Sequence, residues 1–265
     1  MKPLESMPQA VLRGIRGVFF DIDDTLTSAG KLTARAYGAL ERLHAAGRLV
    51  VPITGRPAGW CDHIARMWPV DAVVGENGAF YFYYDGARNR LAQRFVYDAA
   101  TRAANREKMS AVREHILREV PGSALASDQL YREADLAIDY CEDVPRLPDA
   151  DVDRVVELMR AAGMTAKISS IHVNGWFGDY DKLGMTRTLM QERYGVDLAR
   201  EQARYLFVGD SPNDAPMFSY FTNSVGVANV ADFGARLAHP PAYVCSRRSG
   251  DGFVELVELL LGANG

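Results

Sequence analysis

Short apolar runs alternate with amphipathic stretches along this chain, and that alternation constrains its fold more than any other feature. "GVFF" (17–20) has strand length, and "LTARAYGALERLHAAG" (32–47) reads as a helix. Thr33 is placed to cap it, Tyr37, Leu40 and Leu43 share a face, and Gly47 closes it. "RLVVPIT" (48–54) is a second strand. "PAGWCDHIARMW" (57–68) is a second helix whose Trp60, Ile64 and Met67 stripe reads as core, and "DAVVG" (71–75) is a third strand. Strands joined through helices pair in parallel, because a parallel crossover needs a long connection. The expected frame is a doubly wound α/β sheet.

The pattern then changes. "AFYFYYDGARNRLAQRFVYD" (79–98) alternates around Asp85-Gly86 and reads as a hairpin. A helix with Met109, Val112, Ile116 and Val120 in register follows, then the strand "ADLAIDYC" (134–141). A second helix presents Val152, Val155, Val156 and Met159, and "TAKISSIHV" (165–173) reads as one further strand. Such a unit is a small α+β domain with an antiparallel sheet. Parallel alternation resumes with the helix "YDKLGMTRTLMQERYG" (180–195), the strand "RYLFVGD" (204–210) and the elements after it. The expected organisation is therefore a Rossmann-like core from residues 1–85 and 176–265, with 86–175 inserted as a cap.

Composition narrows the class. Hydrophobic residues at 48% and charged residues at 24% describe an ordinary globular protein, and a net charge of −4 argues against a nucleic-acid surface. Cys61, Cys141 and Cys245 have no metal-ligand spacing and cannot all pair, which suggests a reducing compartment. "MKPLESMPQAVLRG" lacks an apolar leader segment, and no run approaches membrane-spanning length. A cytoplasmic location without a membrane partner is the expectation.

"GVFFDIDDTLTS" (17–28) places Asp21, Asp23 and Asp24 directly behind a buried strand. Like charges so close repel, and burial raises the cost unless a cation sits among them. In an open parallel sheet, ligands bind beyond the carboxyl ends of the strands, where strand order reverses. Asp21, Thr54 and Asp210 each end a strand. If the first strand is central, with the other two beside it, these ends are neighbours. Lys182 opens the helix before the last of these strands, and "GDSPND" adds Asn213 and Asp214. Oxygen ligands converging from separate stretches would hold a hard divalent cation, Mg²⁺ first.

These residues carry a resemblance. D-x-D-x-T (Asp21, Asp23, Thr25), the strand-end Thr54 of "VPITGRP", Lys182 and "GDSPND" resemble the four motifs of the haloacid dehalogenase superfamily, in its order. An insertion between the second and third motifs, preceded by "GENGA" (75–79), is similar to the class IIB (Cof-type) phosphatases with their C2-type cap. The resemblance implies a Mg²⁺-dependent phosphohydrolase acting on a small phosphorylated metabolite, such as a sugar phosphate, through an aspartyl-phosphate. Asp21 would be the nucleophile and Asp23 the general acid and base. Thr54, Lys182 and Asn213 would hold the phosphoryl group. Asp21, Asp210 and the backbone carbonyl of Asp23 would ligate the metal, and Asp214 would support or bind it. A phosphomutase or phosphotransferase of the same fold, or a weakly catalytic binding relative, is the alternative. One departure is Leu183, which separates Lys182 from Gly184 where the family often has glycine directly after the lysine. Asp24 fills an unspecified position, and turn geometry explains it equally well. The roles of Arg56, His172 and Asn174 stay open, and aromatic packing between domains is the reading for Trp176 and Phe177.

Overall fold

A computed structural model describes residues 1–263. Its first part contains β1 (Lys2–Pro3), α1 (Gln9–Gly14), β2 (Gly17–Phe20), α2 (Ala34–Ala45), β3 (Leu49–Pro52), α3 (Ala58–Met67) and β4 (Val73–Gly75). Next come β5 (Phe80–Asp85), β6 (Arg90–Phe95), α4 (Ala99–Glu119), β7 (Ala124–Leu125) and β8 (Leu136–Asp139). They are followed by α5 (Asp149–Ala161), β9 (Thr165–Ile168) and β10 (His172–Trp176). The last part holds α6 (Lys182–Tyr194), α7 (Leu198–Glu201), β11 (Tyr205–Gly209), α8 (Ala215–Tyr220), β12 (Ser224–Gly226), β13 (Tyr243–Val244) and α9 (Ser249–Gly262).

The main sheet runs β1-β13-β12-β11-β2-β3 with every pair parallel. Strand β2 is therefore central, with β11 on one side and β3 on the other, as the convergence of Asp21, Thr54 and Asp210 requires. Its side chains alternate between faces. Val18 and Phe20 join Leu40, Leu43, Phe253 and Leu256 under α2 and α9, while Phe19 packs with Met185, Leu189 and Phe221 on the opposite face. All four β2 residues are buried. A strand covered on both sides must stay apolar until it ends, which is why the carboxylates begin at Asp21. Thr33 caps α2 by accepting from the Ala36 amide, and Gly47 closes the turn behind it with φ 73°.

The inserted sheet runs β7-β8-β10-β9 and is antiparallel throughout. Met109, Val112 and Ile116 of α4 and Val152, Val155 and Met159 of α5 share a core with Leu136, Ile138 and Val173 of this sheet. Strand β6, although within 86–175, pairs with β5 rather than with this sheet.

Four local readings change. "DAVVG" does not extend the parallel sheet: β4 pairs antiparallel with β5, and one bridge, Ile53 to Val74, ties it to β3. Left-handed backbone at Glu76, Asn77 and Gly78 (φ 42°, 56° and 105°) turns the chain straight back alongside itself. "TAKISSIHV" is two strands, because the Ser169 hydroxyl accepts from the Ile171 and His172 amides and folds a turn. Of the stripe assigned to the core, only Ile64 is buried; Trp60 and Met67 are 43% and 66% exposed. Ala58, Cys61, Ile64 and Ala65 form the buried face of α3 instead, and small residues there let the helix close on β4 and β5. Finally, β1 and α1 were not expected, since a two-residue strand carries no periodic signal.

Candidate active site

Asp21 is the first residue past β2, and its amide donates to the Val208 carbonyl of β11 at 2.9 Å. That ladder bond carries the sheet register into the site. Lys182, at the first turn of α6, places Nζ 2.7 Å from Asp21 Oδ1 and 2.7 Å from Asp214 Oδ1. Gly78 sets this depth: a Cβ there would lie 2.0 Å from the Asp181 carbonyl oxygen, so only glycine lets the chain pass the start of α6.

Asp214 is held from the other side. Its Oδ2 accepts from the amides of Asp210 and Ser211, forming a capping box with Ser211 at the turn after β11. Gly209 makes room for it, since a Cβ there would sit 2.2 Å from Asp214 Oδ2. Asp210 accepts from Thr25 Oγ1 and Asn229 Nδ2, each at 3.3 Å. Asn229 also donates to the Asp24 carbonyl. It was not anticipated from sequence, although its place just past β12 is the same strand-end position that singled out the others.

Carboxylate oxygens of Asp21, Asp210 and Asp214 approach within 4.8 Å of one another, and all three residues are buried. At an effective dielectric near 20, two such charges repel by about 3 kcal/mol or more. One ammonium cannot balance three carboxylates. Burial pushes the Asp21 carboxyl up to about 8, against the pull of Lys182, and Asp214 and Asp23 add to the rise. Burial likewise holds Asp210 well above its ordinary range, reinforced by Asp21 and Asp214. For Lys182 burial works downward, but the charges of Asp21 and Asp214 outweigh it and raise its pKa. An all-oxygen set with a charge deficit fits a hard divalent cation, and Mg²⁺ suits it.

Thr54 follows β3; its amide donates to Val74, and its hydroxyl accepts from the Arg56 amide at 3.0 Å. Asn213 is fixed by Ser211, whose hydroxyl donates to its Oδ1 at 2.8 Å. Asp21, Asp23, Asn213, Arg56 and the Ser169–His172 turn line a space of only about 10 Å³, barely one water. The tip of the β9–β10 hairpin therefore covers the site.

Arg56 is the residue that sequence reasoning undervalued. Its guanidinium grips Asp23 and also reaches Glu142 at 2.7 Å and Asp128 at 3.3 Å, both from the inserted unit. The ring of Trp60 lies 4.3 Å below it, which gives that exposed tryptophan its purpose. Burial works to raise the Glu142 carboxyl, but contacts with His172 and Arg56 prevail and hold it at about 2. Asn174 donates to Asp135, which pairs with Arg132; Arg132 in turn donates to the Gly55 carbonyl. Arg132 is thus buried in a network across the two units rather than facing solvent. Glu76 completes the seam, accepting from the amides of Ala58, Glu133, Ala134 and Asp135. Trp176 stacks on Tyr180 and donates to its carbonyl, as packing requires.

Residues 18–106 match the family model of haloacid dehalogenase-like hydrolases. Over those residues the chain is similar to the haloacid dehalogenase-like hydrolases. Among curated proteins none matches it in sequence. Solved structures share its fold over nearly the whole length. The structure of Thermoplasma acidophilum 0175 aligns at 20% identity and a TM-score of 0.69, covering 93% of this chain and 98% of that one. Sucrose-phosphatase from Synechocystis sp. PCC6803, solved with sucrose and phosphate, aligns at 17% identity and 0.61, covering 93% and 98%. The subclass IIB sugar phosphatase BT4131 aligns at 15% and 0.61, covering 94% and 99%. The inserted unit is part of that shared fold. Among the described residues, no helix is long and apolar enough to cross a membrane.

Proposed function

We propose that this chain is a Mg²⁺-dependent phosphohydrolase acting on a small phosphorylated metabolite, a sugar phosphate or a similar monoester. The observation that carries the reading is the convergence of Asp21, Asp210, Asp214 and Lys182 at adjacent strand ends under a covering unit. Solved structures with this fold include sugar phosphatases, which favours a sugar phosphate over other esters.

Asp21, Asp210 and the Asp23 carbonyl would hold the metal, and Asp214 would orient the set, its Oδ2 being taken by two amides. When bound, Mg²⁺ offsets the repulsion between an anionic nucleophile and an anionic phosphate. Asp21 attacks phosphorus, forming a new P–O bond as the ester oxygen departs. Asp23 gives that oxygen a proton, then takes one from the water that cleaves the aspartyl-phosphate. Lys182, Thr54 and Asn213 hold the phosphoryl oxygens as charge spreads over them. Asp23 has both oxygens held by Arg56, so transfer requires the guanidinium to release at least one. The β9–β10 tip excludes water while phosphate is held.

A panel of phosphorylated metabolites, with release of inorganic phosphate measured in Mg²⁺, tests this reading. Turnover of sugar phosphates that disappears in Asp21→Asn supports it; no release from any ester opposes it.

A further inference from the structure

Beside the covered phosphate site, a cavity of about 420 Å³ opens between the two units, with Asp23, Asp24, Arg56, Glu142, Arg146 and Ser170 in its wall. It contains the proposed proton donor, so the departing half of the ester must occupy it. Its charges are not equally committed. Arg56 is matched to Asp23, Glu142 and Asp128. Burial raises the Asp24 carboxyl, and Ser170, Arg248 and Arg56 pull it the other way. Arg146, by contrast, has no carboxylate partner among the described residues; its neighbours are the Tyr140 ring, 5.5 Å away, and Cys141 Sγ, at 3.6 Å.

A second cavity of about 250 Å³ adjoins and also ends on Arg146. Two other arginines line it, and both are neutralised, Arg236 by Asp149 and Asp153 and Arg248 by Asp232. Arg146 is therefore the uncommitted guanidinium where two cavities meet, an exposed side chain lying near an aromatic ring. A guanidinium is suited to a planar or tetrahedral oxyanion through paired N–H donors. A neutral sugar would offer that guanidinium no anion and leave it to solvent.

We infer that Arg146 is a specificity-determining residue that binds an anionic group, a carboxylate or a second phosphate, on the departing half of a small phosphate monoester. The inference rests on the phosphohydrolase reading for which end of the substrate lies there. A charge-assisted hydrogen bond of this kind is worth on the order of ten- to a hundredfold in affinity.

Three esters of one carbon skeleton test it: glycerol phosphate, phosphoglycerate and glycerol bisphosphate. Their binding to the full-length Asp21→Asn protein with Mg²⁺, which cannot turn them over, is measured by calorimetry, and their hydrolysis by the unaltered protein is measured in parallel. One or both anionic esters should bind ten- to a hundredfold more tightly than glycerol phosphate, and the tighter of the two names the anion. Adding Arg146→Gln should bring that ratio close to one, with Arg146→Lys between. Equal binding of all three esters, or a preference that survives Arg146→Gln, overturns the inference. A preference lost on Arg146→Gln, in a protein that hydrolyses no ester, sustains the anion site and defeats the phosphohydrolase reading instead.

Discussion

Arg56 holds Asp23 through two nitrogens, with Nε 2.9 Å from Oδ2 and Nη2 2.8 Å from Oδ1. The same Nη2 lies 2.7 Å from Glu142 Oε1 of the inserted unit. One side chain therefore ties the proposed acid and base to the unit that covers the site. Arg56 is only 4% exposed, so these pairs escape the solvent screening that makes surface bridges weak.

Removal of that cation should be costly. Arg56→Ala leaves Asp23, Asp128 and Glu142 facing one another, and breaking a buried pair costs about 3–5 kcal/mol. The lower end applies, because Asp23 and Glu142 retain some exposure. Arg56→Lys should recover less than half, since an ammonium cannot engage both oxygens of Asp23 in a fork. Urea denaturation measures both; an unchanged midpoint in Arg56→Ala would contradict the clasp.

Acid should loosen the same seam. Contacts with His172 and Arg56 hold Glu142 at about 2, below its ordinary 4.5. A depressed carboxyl contributes stability that is present above 4.5 and lost as pH falls towards about 2. Between those values the unaltered protein should lose stability more steeply than Glu142→Gln. Denaturation midpoints across that window check it, and parallel slopes would count against the ion pair.

Glycine at 78 is required by a close approach, whereas Gly86 has open space around it. Gly78→Ala should strain a left-handed position and displace the start of α6, costing about 1–3 kcal/mol and at least tenfold in activity through Lys182. Gly86→Ala should change neither. Equal behaviour of the two variants in thermal unfolding and turnover would show that the seating of Lys182 does not depend on Gly78.

A metal requirement follows from the charge deficit among Asp21, Asp210 and Asp214. Excess chelator should abolish turnover and added Mg²⁺ restore it, with Ca²⁺ a poor replacement because its coordination is looser. Mg²⁺ should also raise the unfolding temperature, and Asp210→Asn should lose that rise. Full turnover in chelator is the opposing result.

The parallel frame and the acidic cluster were legible because both depend on local signals. A doubly buried strand must read as an apolar run, and carboxylates set at its end mark where the sheet opens, as Phe20 and Asp21 do. What escaped depends on contacts between distant segments. Arg56 looks like an ordinary loop arginine until Asp128 and Glu142 are brought to it from the inserted unit. Trp60 reads as core by periodicity, yet the smaller Cys61 and Ala65 take the buried face and leave the indole to Arg56. The break at Ser169 was hidden because a hydroxyl bonding to amides two and three residues on, not a glycine or proline, makes the turn.

The most direct test of the chemistry asks where phosphorus goes. An activated ester with labelled phosphate needs little help from an acid, so Asp23→Asn should form the phosphoenzyme but fail to hydrolyse it. Mixed with that ester and Mg²⁺, Asp23→Asn protein should give a burst of leaving group and retain label on Asp21. The unaltered protein should retain little, and Asp21→Asn should retain none while losing on the order of a thousandfold or more in rate. Label recovered on another residue, or near-normal turnover by Asp21→Asn, would contradict the assignment of Asp21 as nucleophile.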